Sequence, residues 1–250
     1  MKLIYNFFAL SIFALITNVT IPKDNFAEIL RQSDFYRGGQ VPGVQWNLNL
    51  KNFENFEIRN EIELKIEAST VKESQNVLIT FLGPKKYEGQ KLLVRNNSMW
   101  FMKKGLRGPI PISGRQRLSG SASNADVATA NYINDYQIEQ VTEETLKDIP
   151  VWKFQLTAKN KLVTYSNITL YVVKDKNLAI KAEYYGKSGK LIKEGYFTYD
   201  NIIRYQGQSS PYLSNIEIKS ALKKGDYTIL EVVNPSFEEI SSSKFLKNSL

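Results

Sequence analysis

The residue types that support most enzyme chemistry are missing from this sequence. Its 250 residues include neither cysteine nor histidine. Disulfides, thiolate metal sites and a cysteine nucleophile are therefore excluded. The lack of histidine removes the commonest general base near neutral pH and the commonest metal ligand, so a Ser-His-Asp hydrolase cannot be built. We expect no catalytic residues, no metal ligands and no cofactor.

Two pairs of adjacent carboxylates remain as candidates for catalysis, at Glu143-Glu144 and Glu238-Glu239. Paired carboxylates support glycoside hydrolysis when one acts as the acid and the other as base or nucleophile. Both pairs lie in polar, turn-like or tail contexts, where we expect them to be solvated. We predict that the protein is not an enzyme, with a carboxylate hydrolase as the alternative.

The basic residues allow two interpretations. The net charge of +8 is typical of a surface that meets anionic lipid headgroups or nucleic acid, and equally of a solvated face that promotes solubility. No zinc-finger or RNP-type signature is present, so we do not expect a nucleic-acid partner. Arg107, Arg115 and Arg117 share one polar stretch and form a candidate headgroup or lid site; the alternative is that they keep a loop soluble.

Residues 1–22 have the pattern of a signal peptide. Lys2 precedes an apolar run from Leu3 to Ile16, which is too short for a spanning helix. Cleavage is expected between Thr17 and Asp24, and an uncleaved anchor is the alternative. Either way, residues 23–250 are expected outside the cytoplasm. A bacterial lipoprotein needs a cysteine after its signal peptide, so we expect a soluble periplasmic protein that is not itself a lipoprotein.

The mature chain reads as one helix followed by many strands. Asp24 or Asn25 can cap a helix that ends at Gly38-Gly39. Apolar and charged residues then alternate strictly from Asn60 to Ala68, as in a strand with one buried face. Close spacing of the strands favours one antiparallel meander that curls toward a barrel. The other predicted strands are Val77–Leu82, Lys91–Arg95, Ser98–Met102, Val151–Thr157, Ile168–Val173, Ala179–Tyr185, Ile192–Tyr199, Ser214–Lys219 and Tyr227–Val233.

A long excursion separates the two groups of strands, from Gly105 to Asn134. The run from Gly105 to Pro111 contains two prolines, which argue against a place in a sheet ladder. Ser123 and Asp126 have the spacing of an acidic capping box, with at most a short helix after them. Such an excursion is typical of a lid or binding loop, and a surface flap without function is the alternative.

Several predicted strands are too apolar for a sheet with one wet face. A carrier of acyl chains needs a concave apolar wall, because each buried CH₂ contributes about 0.8 kcal/mol. Met102 adds a flexible thioether that suits a disordered chain. The alternative is that these side chains are simply core. The candidate lipid-binding residues are Phe81, Leu92, Val94, Trp100, Met102, Leu170, Val172, Ile180 and Tyr184.

Four stretches together resemble the LolA-like superfamily, in its outer-membrane lipoprotein-sorting branch. Residues 27–38 are similar to its opening helix with an Asp…Arg-Gly ending, and residues 96–102 to its Asn-x-x-Trp strand. Residues 115–126 resemble its Gly-Ser-x-x-Ser-x-x-Asp segment, although Ala122 is small where the family has an apolar or aromatic residue. Residues 148–193 look like its closing hairpins.

The resemblance implies a mainly β (α+β) fold, an incomplete antiparallel β-barrel wrapped around a few helices. Residues 23–250 would form the lipid- or lipoprotein-binding domain. Relatives hold acyl chains of lipoproteins, or other lipids, in an apolar cavity while these cross the periplasm toward the outer membrane. The alternative is a non-catalytic envelope interaction module that works with an inner-membrane lipid or lipoprotein exporter.

Overall fold

The structure is a computed structural model that describes residues 23–71, 73–128 and 131–250. The predicted signal peptide, residues 1–22, lies outside the described residues. The helices are α1 (Lys23–Phe35) and α2 (Tyr132–Asp135). The strands are β1 (Val44–Glu54), β2 (Glu57–Val71), β3 (Ser74–Gly83), β4 (Lys91–Arg95), β5 (Ser98–Met102), β6 (Ile110–Ile112), β7 (Arg117–Ser119), β8 (Ala122–Ser123), β9 (Tyr136–Leu146), β10 (Ile149–Ala158), β11 (Asn167–Val173), β12 (Ala179–Tyr185), β13 (Leu191–Thr198), β14 (Asn201–Tyr205), β15 (Gln208–Tyr212), β16 (Asn215–Ser220) and β17 (Tyr227–Ser236).

Thirteen of these strands form one antiparallel sheet, in the order β6-β5-β4-β3-β2-β1-β17-β16-β13-β12-β11-β10-β9. The sheet is two meanders joined where β1 pairs with β17, for example Leu50 opposite Leu230. Its two edge strands, β6 and β9, do not pair with each other. The molecule is therefore mainly β with an open, incomplete barrel, as predicted.

Alternation along the strands places the core on the concave face of the sheet. In β1 the buried and less buried residues alternate from Val44 to Leu50, because successive side chains of a strand point to opposite faces. Helix α1 packs its apolar stripe against this face, with Phe26 edge-on to Trp152 and Phe154. The helix ends at Phe35, and the turn after it closes at Gly38, whose φ of 84° suits glycine.

The connection between the two edge strands crosses the open side of the barrel. We call its described residues, 113–128 and 131–135, the lid segment. It contains the β7-β8 hairpin, a 3₁₀ turn at Asn124–Asp126 and α2. The predicted contact forms in the 3₁₀ turn, where the Ser123 N–H donates to Asp126 Oδ2 at 2.7 Å. The segment thus covers the concave face instead of extending from it.

Two smaller apolar clusters lie on the convex face. In one, Phe245 of the C-terminal tail packs against Leu78 and Leu93. The other contains Val151, Tyr171 and Val173. The convex face is therefore partly apolar as well, which explains why the strands read as continuously apolar.

Several sequence predictions need correction. Residues 110–112 do sit in the ladder, because an edge strand needs no donor from Pro111 on its outer side. Glu143 and Glu144 lie within β9 and not in a turn. Strands β1, β7, β8, β9, β14 and β15 and helix α2 were not predicted.

None of the helices in the described ranges combines the length and hydropathy of a membrane-spanning helix.

The tail contact predicts a difference between neighbouring residues. Phe245 is 3% exposed and Leu246 is 47% exposed. We expect Phe245→Ala to lower the free energy of unfolding by about 3 kcal/mol, because it removes a buried ring. The control Leu246→Ala should change it by less than about 0.5 kcal/mol. Urea denaturation measures both, and equal losses would contradict the packing.

Candidate functional site

The lid segment is held to the concave face by specific hydrogen bonds along its length. The Ser121 N–H donates to Thr228 Oγ1 at 2.9 Å, and Asn60 Nδ2 donates to Ser119 Oγ at 3.0 Å. At the other end, the Ile133 N–H donates to Asp34 Oδ2 at 2.9 Å. These contacts join the lid to β2, β17 and α1.

Gly120 allows the β7-β8 turn to approach the sheet. Its φ is 54°, and a Cβ at this position would lie 1.5 Å from Asn52 Oδ1 and 2.7 Å from Thr228 Oγ1. Both the backbone conformation and the space therefore require glycine. Close docking of the lid depends on this residue.

An apolar cavity of about 110 Å³ remains between the lid and the sheet. The sheet contributes apolar side chains from its central and β4-β5 strands, and the lid contributes Val127 and Ala128. Trp46 also lines the cavity, and its buried Nε1 has no hydrogen-bond partner among the described residues. Further apolar lining residues include Leu48, Val94, Met99, Ile218, Leu230 and Val232.

A buried ion pair borders this cavity at the end of α1. Arg37 Nη2 lies 2.9 Å from Asp34 Oδ1, with both side chains almost fully buried. The Arg37 guanidinium carbon is 4.6 Å from the centroid of the Tyr132 ring on α2. Burial raises the pKa of Asp34 from 3.8 to about 6, although Arg37 opposes the shift. The pair joins α1 to α2.

A second buried ion pair joins the lid to β13. Lys193 Nζ contacts Asp126 Oδ2, and the Tyr165 hydroxyl donates to Asp126 Oδ1 at 2.8 Å. Burial lowers the pKa of Lys193, and Asp126 opposes that shift. Breaking such a pair is costly because it leaves an uncompensated buried charge. This polar cluster closes one end of the apolar cavity.

A larger cavity of about 620 Å³ lies on the other side of the cluster. Thr164 and Tyr165 line both cavities, so one layer of side chains separates them. We call the larger space the polar cavity, because most of the residues that line it carry a hydroxyl or a charged group. The two cavities together make the candidate binding site.

The predicted lipid-binding residues are divided between three environments. Val94 and Tyr184 line the apolar cavity. Phe81, Leu92, Leu170 and Val172 are buried in the main core but do not line either cavity. The sequence pattern identifies the concave face correctly for these residues, but it does not distinguish filled core from cavity wall.

Three of the predicted residues lie on the convex face. Trp100 packs on the Leu78 cluster and Ile180 on the Val151 cluster. Met102 is two residues from Trp100 and points to the same side of β5. We therefore leave these three out of the proposed lipid-binding set.

The candidate arginines also separate. Arg115 lines the polar cavity, and its Nε donates to the Thr164 carbonyl at 2.6 Å. Arg107 is exposed and lines neither cavity. Arg117 is the first residue of β7.

The carboxylate pairs lie outside both cavities. Glu143 and Glu144 form ion pairs with Lys174 and Lys153. Among the described residues, no group of three or more Asp or Glu side chains could hold a metal ion.

Sequence reasoning missed the polar centre of the site. Lys193 is 4% exposed, and its ammonium faces the rings of Tyr165 and Tyr184. A signal was present: in β13 Lys193 shares a phase with Gly195 and Phe197, which face the core. A lysine in that phase predicts a buried cation that needs a partner.

Comparison with known proteins places the chain in a family. A family model described as "uncharacterized protein" matches residues 73–250. The LolA superfamily protein from Nitrosomonas europaea is 26% identical, with a TM-score of 0.75, and the match covers 89% of this chain and 98% of that chain. The chain belongs to this family and to the LolA-like superfamily. No curated protein matches it.

Two further structures share this LolA-like fold. An outer membrane lipoprotein-sorting protein domain from Vibrio parahaemolyticus is 17% identical with a TM-score of 0.73, over 89% of this chain and 96% of that chain. A DUF1329 family protein from Desulfovibrio piger is 19% identical with a TM-score of 0.73, over 92% of this chain and all of that chain (100%). At these identities the likeness concerns the fold alone.

The glycine contact predicts that Gly120→Ala undocks the lid. We expect a loss of at least about 2 kcal/mol in the free energy of unfolding, because the methyl group collides with Asn52 in a strained conformation. The control is Gly207→Ala, with a φ of 80° and no atom near the added Cβ, which reports backbone strain alone. Urea denaturation compares them, and equal losses would show that the lid does not depend on close approach.

The Asp34 pKa predicts a pH dependence. Its value in the folded chain is about 6, against an ordinary 3.8. The folded chain therefore binds the proton more tightly, so Asp34 contributes stability below about pH 4 that is lost as the pH rises toward about 6. We expect a carboxyl ¹³C titration midpoint near 6 that disappears in Asp34→Asn. A midpoint at the ordinary value would contradict the burial of this carboxyl.

Proposed function

We propose that this protein is a non-catalytic periplasmic carrier that binds lipoprotein acyl chains or another lipid in its apolar cavity, for transport toward the outer membrane. The observation that supports this most directly is the apolar space between the lid and the concave sheet. A solved structure with the same fold is described as an outer membrane lipoprotein-sorting protein domain, which agrees with the proposal.

Cavity size determines how such a carrier would work. An engineered cavity of about 150 Å³ in another protein accepts benzene, so about 110 Å³ holds only a short piece of a hydrocarbon chain. A longer chain therefore requires the lid to move away from the sheet. The lid is suited to this, because it adds no strand to the main sheet. Apolar packing, a few hydrogen bonds and the ion pair of Asp126 with Lys193 hold it to the concave face.

The walls of the cavity support an adaptable fit. Met99 lies beside Val94 across the β4-β5 pair, and its flexible thioether can follow a disordered chain. Each methylene that leaves water contributes about 0.8 kcal/mol. Residues 23–250 are the proposed binding domain, after export by a signal peptide in residues 1–22.

Val94 allows a test by volume at one position. We expect Val94→Phe to fill the cavity and to lower the affinity for lauric acid about tenfold. Val94→Ala enlarges the same space and should bind at least as well as the original protein. Displacement of a fluorescent fatty acid measures both, and equal affinities would place the lipid elsewhere.

Native mass spectrometry of protein purified from membranes tests the proposal without a chosen ligand. We expect masses that correspond to co-purified lipid. A clean apo mass in repeated preparations, together with recovery of a specific inner-membrane protein, would instead favour an envelope interaction module.

A further inference from the structure

The polar cavity carries a surplus of positive charge. Its charged lining residues are Arg115, Lys187, Lys193, Lys223, Glu54 and Asp226. Both carboxylates already face cations: Asp226 Oδ2 is 4.0 Å from Lys223 Nζ, and Glu54 Oε2 is 4.0 Å from Arg59 Nε. Within the described ranges, neither Arg115 nor Lys187 has a carboxylate at salt-bridge distance. The cavity therefore attracts anions.

Lys193 places one of these cations deep in the protein. It is 4% exposed, and its ammonium lies 4.9 Å from the centroid of the Tyr165 ring. An ammonium has three N–H donors, and in the described chain Asp126 and Ser123 accept from two of them. Burial lowers the pKa of Lys193, and an anion in the cavity would favour its charged form.

Hydroxyl groups supply further donors around the same space. The hydroxyl-bearing lining residues are Ser121, Ser123, Thr164, Tyr165, Ser166, Ser188 and Ser220. Of these, Ser123 and Tyr165 already donate to Asp126. Charge-assisted hydrogen bonds to an oxyanion are shorter and stronger than neutral ones.

We propose that the polar cavity binds the oxyanion head, phosphate or carboxylate, of an amphiphile whose hydrocarbon chain occupies the apolar cavity. This inference rests on the proposed carrier function and specifies its ligand class. Tyr165 lines both cavities. A ligand that spans the two cavities therefore has to displace only the layer of side chains around Tyr165 and Asp126. The anion then lies beside Lys193, and the chain beyond it.

Three single-chain ligands test this by isothermal titration calorimetry of the purified protein: dodecyl phosphate, dodecanol and dodecyltrimethylammonium. We expect dodecyl phosphate to bind at least about tenfold more tightly than the other two. Equal affinities would overturn the anion site and leave the carrier function intact. Absence of binding by all three would overturn both.

Inorganic phosphate separates a lipid head from a free anion. We expect it to bind at least about a hundredfold more weakly than dodecyl phosphate, because it lacks the chain. Equal affinities of the two would identify a free-anion site and overturn the amphiphile proposal.

Two turn lysines give a matched pair of variants. Lys187 is exposed in the turn between β12 and β13 and lines the polar cavity, whereas Lys176 is exposed in the turn between β11 and β12 and lines neither cavity. We expect Lys187→Gln to reduce the preference for dodecyl phosphate over dodecanol about fivefold, and Lys176→Gln to preserve it. Equal effects of the two would show that net charge, not the cavity, selects the anion.

Discussion

The docking of the lid segment on the concave sheet is the constraint on which the rest of the structure depends. The thirteen-stranded sheet does not close, so its inner face would present a large apolar surface to water without a cover. The cover is attached by polar contacts that are buried with it: Asp126 with Lys193, and Asp34 with Arg37 and the Ile133 N–H. Because these groups lose their water when the lid closes, each of them needs its partner in the closed position.

The main sheet and the lid segment are held by different kinds of contact. The sheet is held by continuous backbone ladders, whereas the lid adds only the two-stranded β7-β8 hairpin and short turns. Local opening therefore costs side-chain contacts and leaves the main ladder intact. The same ion pair that closes the lid also stands between the two cavities. In the proposed carrier, entry of a long ligand and release of the lid would therefore be linked through Asp126 and Lys193.

The sequence predicted those parts of the fold that leave a periodic pattern of apolar residues or a recognisable motif. Strict alternation, as in residues 60–68, located half-buried strands, and the spaced motifs from residue 27 to residue 193 indicated the LolA-like fold. Strand β9 was not predicted, because it lacks the alternation of apolar and polar residues. It is an edge strand with a solvated face that is rich in Glu, Gln and Thr. Strand β1 does alternate apolar and polar residues, so its signal was available.

The site was harder to predict because a cavity is a property of packing between distant elements. Leu92 and Val94 are two residues apart on one face of β4, yet only Val94 borders the apolar cavity. Strand alternation places Trp100 on the convex face, where the C-terminal tail returns to cover it, and no local pattern shows that cover. The buried pair of Lys193 and Asp126 joins residues 67 positions apart.

Photo-crosslinking with a fatty acid that carries a diazirine near its methyl end tests the central claim most directly. The account predicts that peptide mapping finds the label on the cavity wall, at residues such as Met99, Val127 and Leu230. Label confined to exposed apolar residues, such as Phe56 and Ile202, would contradict a lipid-binding cavity beneath the lid.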